Sequence, residues 1–127
     1  MDLHELSFAK IIILRNDIAE VIVNDEVEMD LKMVDEYHNF LLSHLQPPFS
    51  LLINKLNSYS YSFDAQEKLA NLNEINAMAV VVYKNITKES TEALVDLKTD
   101  GIWNLKIFPN RDDALNWLFV QQKQVNR

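Results

Sequence analysis

The chain has 127 residues, 48% of them apolar and 24% charged, which is the balance of one globular domain. A single glycine, Gly101, excludes phosphate-cradling loops, dinucleotide fingerprints and glycine-flanked nucleophile elbows, and the absence of cysteine excludes disulfides, thiolate nucleophiles and cysteine metal sites. A net charge of −7 with no basic run disfavours nucleic acid and anionic membrane surfaces as partners.

The chain starts Met1-Asp2-Leu3-His4-Glu5, acidic where a secretory leader would be basic, and no apolar run approaches the ~20 residues of a membrane span. Cytoplasmic residence without membrane insertion is the expectation. The first strand signals are Lys10 to Arg15 and Ile18 to Val23, joined by Asn16-Asp17, which favour turns. Together they predict a β-hairpin. After the polar stretch Asn24 to Met29, Asp30 is a good N-cap. Leu31, Val34, Tyr37/His38, Leu41/Leu42 and Leu45 then recur at helical spacing. Pro47-Pro48 stop that helix and lead into a buried strand over Phe49–Asn54.

Lys55 to Phe63 reads as a loop of Asn, Ser and Tyr, and Asp64 with Glu67 as a capping-box start for a helix carrying Ala65, Leu69 and Leu72. Ala77 to Tyr83 is continuously apolar, as a central parallel strand covered on both faces should be. A short helix is expected over Glu89–Leu97, with Gly101 as its stop. Leu105–Phe108 forms the last strand. Asn110 caps a final helix with Asp112 and Asp113 in its first turn and Ala114, Leu115, Trp117 and Leu118 packing inward. The order ββαβαβαβα predicts an α/β fold: a mostly parallel five-stranded sheet with an N-terminal hairpin and four helices. Residues 1–127 form one domain in this reading.

Three segments carry a family resemblance. They are the hairpin Ile11-Ile12-Ile13-Leu14-Arg15-Asn16-Asp17-Ile18-Ala19-Glu20-Val21-Ile22-Val23, the strand Met78-Ala79-Val80-Val81-Val82, and the ending Ile107-Phe108-Pro109-Asn110-Arg111-Asp112-Asp113-Ala114-Leu115-Asn116-Trp117-Leu118. With the element order, they make the chain resemble the SpoIIAA-like, or STAS, superfamily of small bacterial α/β domains, in its uncharacterised SpoIIAA-like branch. The resemblance implies a regulatory, protein-binding domain rather than a catalyst. The best-known members are anti-sigma-factor antagonists, which bind a partner kinase and are switched by phosphorylation of a serine before the second helix. The corresponding stretch here is Asn54 to Asp64. It lacks the usual glycine and the aspartate–serine order, so the standard phospho-serine motif is not intact, and Ser62-Phe63-Asp64 is the nearest equivalent.

Position alone also singles out this stretch. Asn57 to Ser62 follows the carboxyl end of a parallel strand, where open α/β sheets place their binding crevices. Alternating Ser and Tyr supply hydroxyls and flat apolar faces suited to protein contact. Asn54, Ser58, Tyr59, Ser60, Tyr61 and Ser62 are therefore the candidate binding residues, with Asn85 on the same rim. Ser62 is the candidate phosphorylation site, since a phosphate before a helix start meets free N–H groups. Its alternative role is as a plain N-cap, and the period-two alternation is equally that of an extended edge segment.

No catalytic constellation stands out. His38 and His44 lie about 120° apart in helical projection, unlike an i, i+4 metal pair. The adjacent acids Asp25-Glu26, Asp35-Glu36 and Asp112-Asp113 point to different faces or mark a helix start. Trp103 and Trp117 read as packing residues. The expectation is a non-enzymatic domain with no cofactor and no metal, a protein partner, and room for homodimerisation. A small-molecule or lipid carrier is the alternative.

Overall fold

The computed structural model describes residues 2–69, 71–83 and 104–125. The helix expected over Glu89–Leu97, its stop Gly101, Asn85 and Trp103 lie outside those residues.

Eight strands and three helices follow in order among the described residues. They are β1 (Asp2–Glu5), β2 (Ala9–Arg15), β3 (Ile18–Val23), β4 (Glu28–Met29), α1 (Leu31–His44), β5 (Phe49–Lys55), β6 (Ser60–Tyr61), α2 (Phe63–Lys68), β7 (Ile75–Val82), β8 (Leu105–Phe108) and α3 (Arg111–Val125). The main sheet has six strands in the order β1-β2-β3-β5-β7-β8, not the five expected. It is mixed. β1, β2 and β3 pair antiparallel, and β3, β5, β7 and β8 pair parallel. The additional strand is β1, an exposed edge whose Leu3 and His4 face Ile12 and Ile11 of β2. It carries too little apolar alternation to announce itself.

The hairpin forms as expected, with a register irregularity between Ile13 and Arg15 at its tip. Arg15 reaches across that tip to chelate Asp17 at 2.9 and 3.0 Å. Asp30 caps α1 by accepting from the Met33 N–H at 2.9 Å. The helix buries Val34, Tyr37, His38 and Leu41, while Leu31 and Leu42, expected on the same stripe, are exposed. They sit at the margins of the stripe, too far round the helix to reach the sheet.

Side chains alternate across the pleat and build two cores. Ile11, Val21, Leu51, Ile53, Met78 and Val80 face α1 and α2. Ile18, Leu52, Ala77, Ala79 and Val81 face the other way, with Phe108 and the Ala114 and Leu118 of α3. The sheet is thus sandwiched between helices, which explains the largely apolar character of β5 and β7. Phe49 to Ile53 and Ala77 to Val82 are buried without interruption.

α2 starts earlier than Asp64 suggests. Ser62 is its N-cap, accepting from the Ala65 N–H at 3.2 Å. The residue three beyond the cap is then Ala65 rather than Glu67, so the expected capping box does not form. Asn110 caps α3 as expected, accepting from the Asp113 N–H at 2.9 Å and donating back to the Asp113 carboxylate at 3.0 Å.

Candidate functional site

The segment from Leu56 to Phe63 joins the carboxyl end of β5 to α2. Its backbone is tied down residue by residue. The Ser58 N–H donates to Asp25 Oδ1 at 3.0 Å, and the Ser58 carbonyl accepts from the Glu26 N–H at 2.6 Å. Ser60 N–H and Ser62 N–H donate to the carbonyls of Val27 and Met29 at 3.0 and 2.8 Å. β6 and β4 thereby form a two-stranded parallel sheet. The period-two alternation of Ser and Tyr is that of this short strand. Tyr59 and Tyr61 turn inward against the core, Ser58 and Ser60 outward. Glu26 opposite them has φ 62°, a left-handed conformation that costs a residue with a Cβ about 1–2 kcal/mol.

The outer face of this rim is apolar at both ends. Leu56 is 62% exposed and Phe63 73% exposed. Burying either side chain against a partner would gain about 1.5–3 kcal/mol. The tyrosines are not free contact faces, contrary to their sequence reading. Their rings meet edge to face at 5.5 Å, their hydroxyls lie 3.3 Å apart, and both pack on the core. Burial pushes the Tyr61 hydroxyl up to about 12 and the Tyr59 hydroxyl well above the usual range. Lys55, the last residue of β5, places its ammonium over both rings, 5.2 Å from Tyr59 and 5.5 Å from Tyr61. Burial pushes this amine down to about 8.

The remaining candidates divide. Ser62 spends its hydroxyl oxygen on the α2 cap. Asn54 belongs to the opposite side of the sheet. Its amide donates to Glu20 Oε2 at 2.9 Å, and Arg111 at the start of α3 holds Glu20 Oε1 through Nε and Nη2 at 3.0 and 2.9 Å. The amide oxygen, Asn54 Oδ1, is buried with no hydrogen-bond partner among the described residues. The structure therefore brings Ser58, Tyr59, Ser60, Tyr61 and Ser62 together and leaves Asn54 out.

A second buried polar cluster centres on Gln122 of α3. Its carbonyl accepts from Ser50 and Asn76, and its amide donates to Asp17 at 2.9 Å and to the Pro48 carbonyl at 3.1 Å. Burial raises the Asp17 carboxyl, but hydrogen bonds from Arg15 and Gln122 and the guanidinium charge outweigh it and hold the group below the usual carboxylate range. Beside it, Arg15, Asn16, Asp17, Gln46, Pro47 and Pro48 line an open hollow of about 370 Å³.

The histidines serve packing. His4 meets His44 and Phe40 edge to face at 4.9 and 5.1 Å, and His44 stacks on Phe40 at 4.0 Å. His38 is buried and donates from Nε2 to the Leu69 carbonyl at 2.8 Å. No group of three potential metal-ligating side chains occurs among the described residues. None of the helices there is long and apolar enough to cross a membrane.

Sequence reasoning missed Lys55, Glu20, Arg111 and Gln122. Glu20 carried a signal, being a charge inside an otherwise apolar strand. Lys55 carried none, because a lysine ending a strand is commonly solvated.

No family model matches the chain, and none of the curated proteins matches it. Among solved structures, it is similar to an uncharacterized protein of the DUF3478 family from Shewanella loihica PV-4, described as having a SpoIIAA-like fold. The superposition covers 92% of this chain and 90% of that one, with a TM-score of 0.53 and 15% sequence identity. At that identity the likeness concerns the fold and not the activity. The order of strands, the flanking helices and this superposition together give the chain a SpoIIAA-like fold.

Proposed function

We propose that the chain is a non-enzymatic regulatory domain that docks another protein on the rim from Leu56 to Phe63. The observation that carries this reading is the pairing of two exposed apolar anchors, Leu56 and Phe63, with a backbone already fixed by β4. A rigid rim loses little conformational entropy on binding, so the burial of the anchors is retained as affinity. A few side chains that become fully buried carry most of the binding energy of an interface. The net charge of −7 points to a partner with a basic face.

The test replaces Leu56 and Phe63 with glutamate, singly and together, and compares the proteins recovered with tagged wild type and variants from the source cells. Because both side chains are exposed, the variants should keep their melting behaviour. Loss of a defined partner from the variants supports the docking rim. Unchanged recovery with the double variant overturns it.

The hollow near Pro47 and Pro48 favours a second reading, the binding of a small polar molecule. Its charged and amide lining does not suit a lipid tail. Filling it with Gln46→Trp should abolish any thermal stabilisation by such a ligand.

A further inference from the structure

The net charge of −7 is not spread evenly along the chain. The segments 24–30 and 56–67 hold six of the nineteen acidic residues, Asp25, Glu26, Glu28, Asp30, Asp64 and Glu67, and none of the twelve lysines and arginines. They carry −6 of the −7, and the rest of the chain is close to neutral. The two segments are distant in sequence, and the fold joins them. β4 and β6 pair with Glu28 beside Ser60 and Met29 beside Tyr61, and the Glu26 N–H donates to the Ser58 carbonyl. Met29 and Tyr61 turn to the core, so the opposite face of this small sheet presents Glu28 and Ser60 to solvent.

Two of these carboxylates have tasks inside the fold. Asp25 accepts from the Ser58 N–H and Asp30 caps α1. Glu26, Glu28 and Asp64 are exposed and make no hydrogen bond or ion pair among the described residues. The lysines that border the rim do not neutralise them. Lys55 lies over the rings of Tyr59 and Tyr61, and Lys68 is bonded to Asp35. Among the described residues no three potential ligands converge as a metal ion would require. The acids are instead spaced along the segment that ends in the exposed Leu56 and Phe63.

We propose that the partner seated on this rim is a basic amphipathic polypeptide segment, a partner chemistry that rests on the docking reading given above. Its apolar side chains cover Leu56 and Phe63. Its lysines or arginines face Glu26, Glu28 and Asp64. The two kinds of contact have different effects. Burial of the apolar anchors supplies most of the affinity. The acids speed encounter with a basic segment and repel an acidic one of the same apolar pattern, so they select among partners. Three exposed ion pairs together are worth about tenfold in affinity, and salt screens that part of the binding.

The full chain is titrated with the amidated peptide LKKLLKLLKKLLKL and, for comparison, with LEELLELLEELLEL and octalysine. The titrations are run at about 50 and about 300 mM NaCl, on either side of the salt at which surface charges are screened over ~8 Å. The leucine–lysine peptide should bind, and about tenfold more weakly at the higher salt. Backbone amide shifts should change within residues 24–30 and 56–67. The neutral variant Glu26→Gln/Glu28→Gln/Asp64→Asn keeps side-chain size at exposed positions, and it should bind about tenfold more weakly at low salt. Equal binding of the leucine–glutamate peptide overturns the proposal, as does an affinity unchanged in the neutral variant. Octalysine binding as tightly as the leucine–lysine peptide overturns it too, since the segment then need not be amphipathic. Shift changes confined to other residues have the same force. The salt comparison uses the wild-type chain alone, so it holds whatever the variants do. Leu56→Ala/Phe63→Ala leaves the charge as it is and separates the two readings. Wild-type binding by that variant sinks the docking rim itself. Loss of the peptide there, with none in the neutral variant, keeps the rim and removes its preference for a basic partner.

Discussion

Glu20 of β3 and Arg111 of α3 form an ion pair across 91 residues of sequence, with one carboxylate oxygen held by two guanidinium nitrogens at 3.0 and 2.9 Å. The carboxylate is enclosed, its side chain only 4% exposed, while the guanidinium is 39% exposed. The pair thus anchors the start of α3 to the middle of a buried strand.

Removing the guanidinium should leave a buried, unpaired carboxylate. Arg111→Met is expected to destabilise the chain by about 2 kcal/mol, below the usual cost of breaking a fully buried pair because water can enter on the arginine side. The double variant Glu20→Gln/Arg111→Met should recover part of that loss, since a neutral amide needs no counter-charge. Urea unfolding of the two variants checks this. A double variant less stable than Arg111→Met would show that the charge is not the cause.

Gln122 satisfies Ser50, Asn76, Asp17 and the Pro48 carbonyl from one buried amide. Gln122→Leu is of similar size but removes all four hydrogen bonds, although Asp17 keeps Arg15 and Asn76 keeps the Gln121 carbonyl. The expected loss is about 2 kcal/mol, the desolvation cost of buried polar atoms left unpaired. Denaturant midpoints give the comparison, and a loss below ~0.5 kcal/mol would mean that water replaces the amide without penalty.

At the rim, Ser62 contributes through its cap. Ser62→Ala should cost about 1 kcal/mol and Ser62→Asp only a few tenths, because an aspartate also accepts from the third N–H of a helix. Equal melting temperatures for wild type and Ser62→Ala would remove the capping role.

Glu26 holds φ 62° with a Cβ present. Glu26→Gly should stabilise by about 0.5–1 kcal/mol, the strain relieved less the added freedom of the unfolded chain. Thermal melts read the sign directly, and a destabilised variant would show that the glutamate side chain outweighs the strain.

The pH profile should be domed. Burial lowers the His38 imidazole, so below about 6.5 the unfolded chain takes a proton that the folded chain refuses, and stability falls with acid. Lys55, at about 8 when folded and near 10.4 when unfolded, makes stability rise between those values. Tyr59 and Tyr61 are raised on folding, so above about pH 10 the unfolded chain loses protons first and stability falls again. Urea midpoints from pH 5 to 11 trace the dome. In Lys55→Met the rise above pH 8 should be absent, and a profile parallel to wild type would contradict the burial of the amine.

Much of the fold was legible in pattern. The hairpin, α1 with its Asp30 cap, β5, β7, β8 and the Asn110-capped α3 all stand where periodicity and capping chemistry put them. β1 was not legible, because an edge strand needs only a backbone partner, and Ile11 and Ile12 of β2 supply it from elsewhere in the chain. For the α2 cap the sequence left Ser62 and Asp64 both open, since both are good caps, and the bridge from Ser62 N–H to the Met29 carbonyl accompanies the choice of Ser62. For the candidate site, sequence located the segment but not its orientation. Which way Tyr59 and Tyr61 face depends on β4, about thirty residues earlier, and nothing local to the tyrosines encodes that. Lys55 and Arg111 likewise owe their character to partners that meet them only in three dimensions.

The two-residue pairing of β4 with β6 has a mechanical effect. It fastens the stretch before α1 to the stretch before α2, so the two helices begin from a common hinge plate rather than from separate loops. Force applied at Phe63 therefore reaches Met29, and through it the adjoining Asp30 cap, within a few bonds. Occupancy of the rim would be felt at the root of α1, a helix that itself makes no part of the exposed contact.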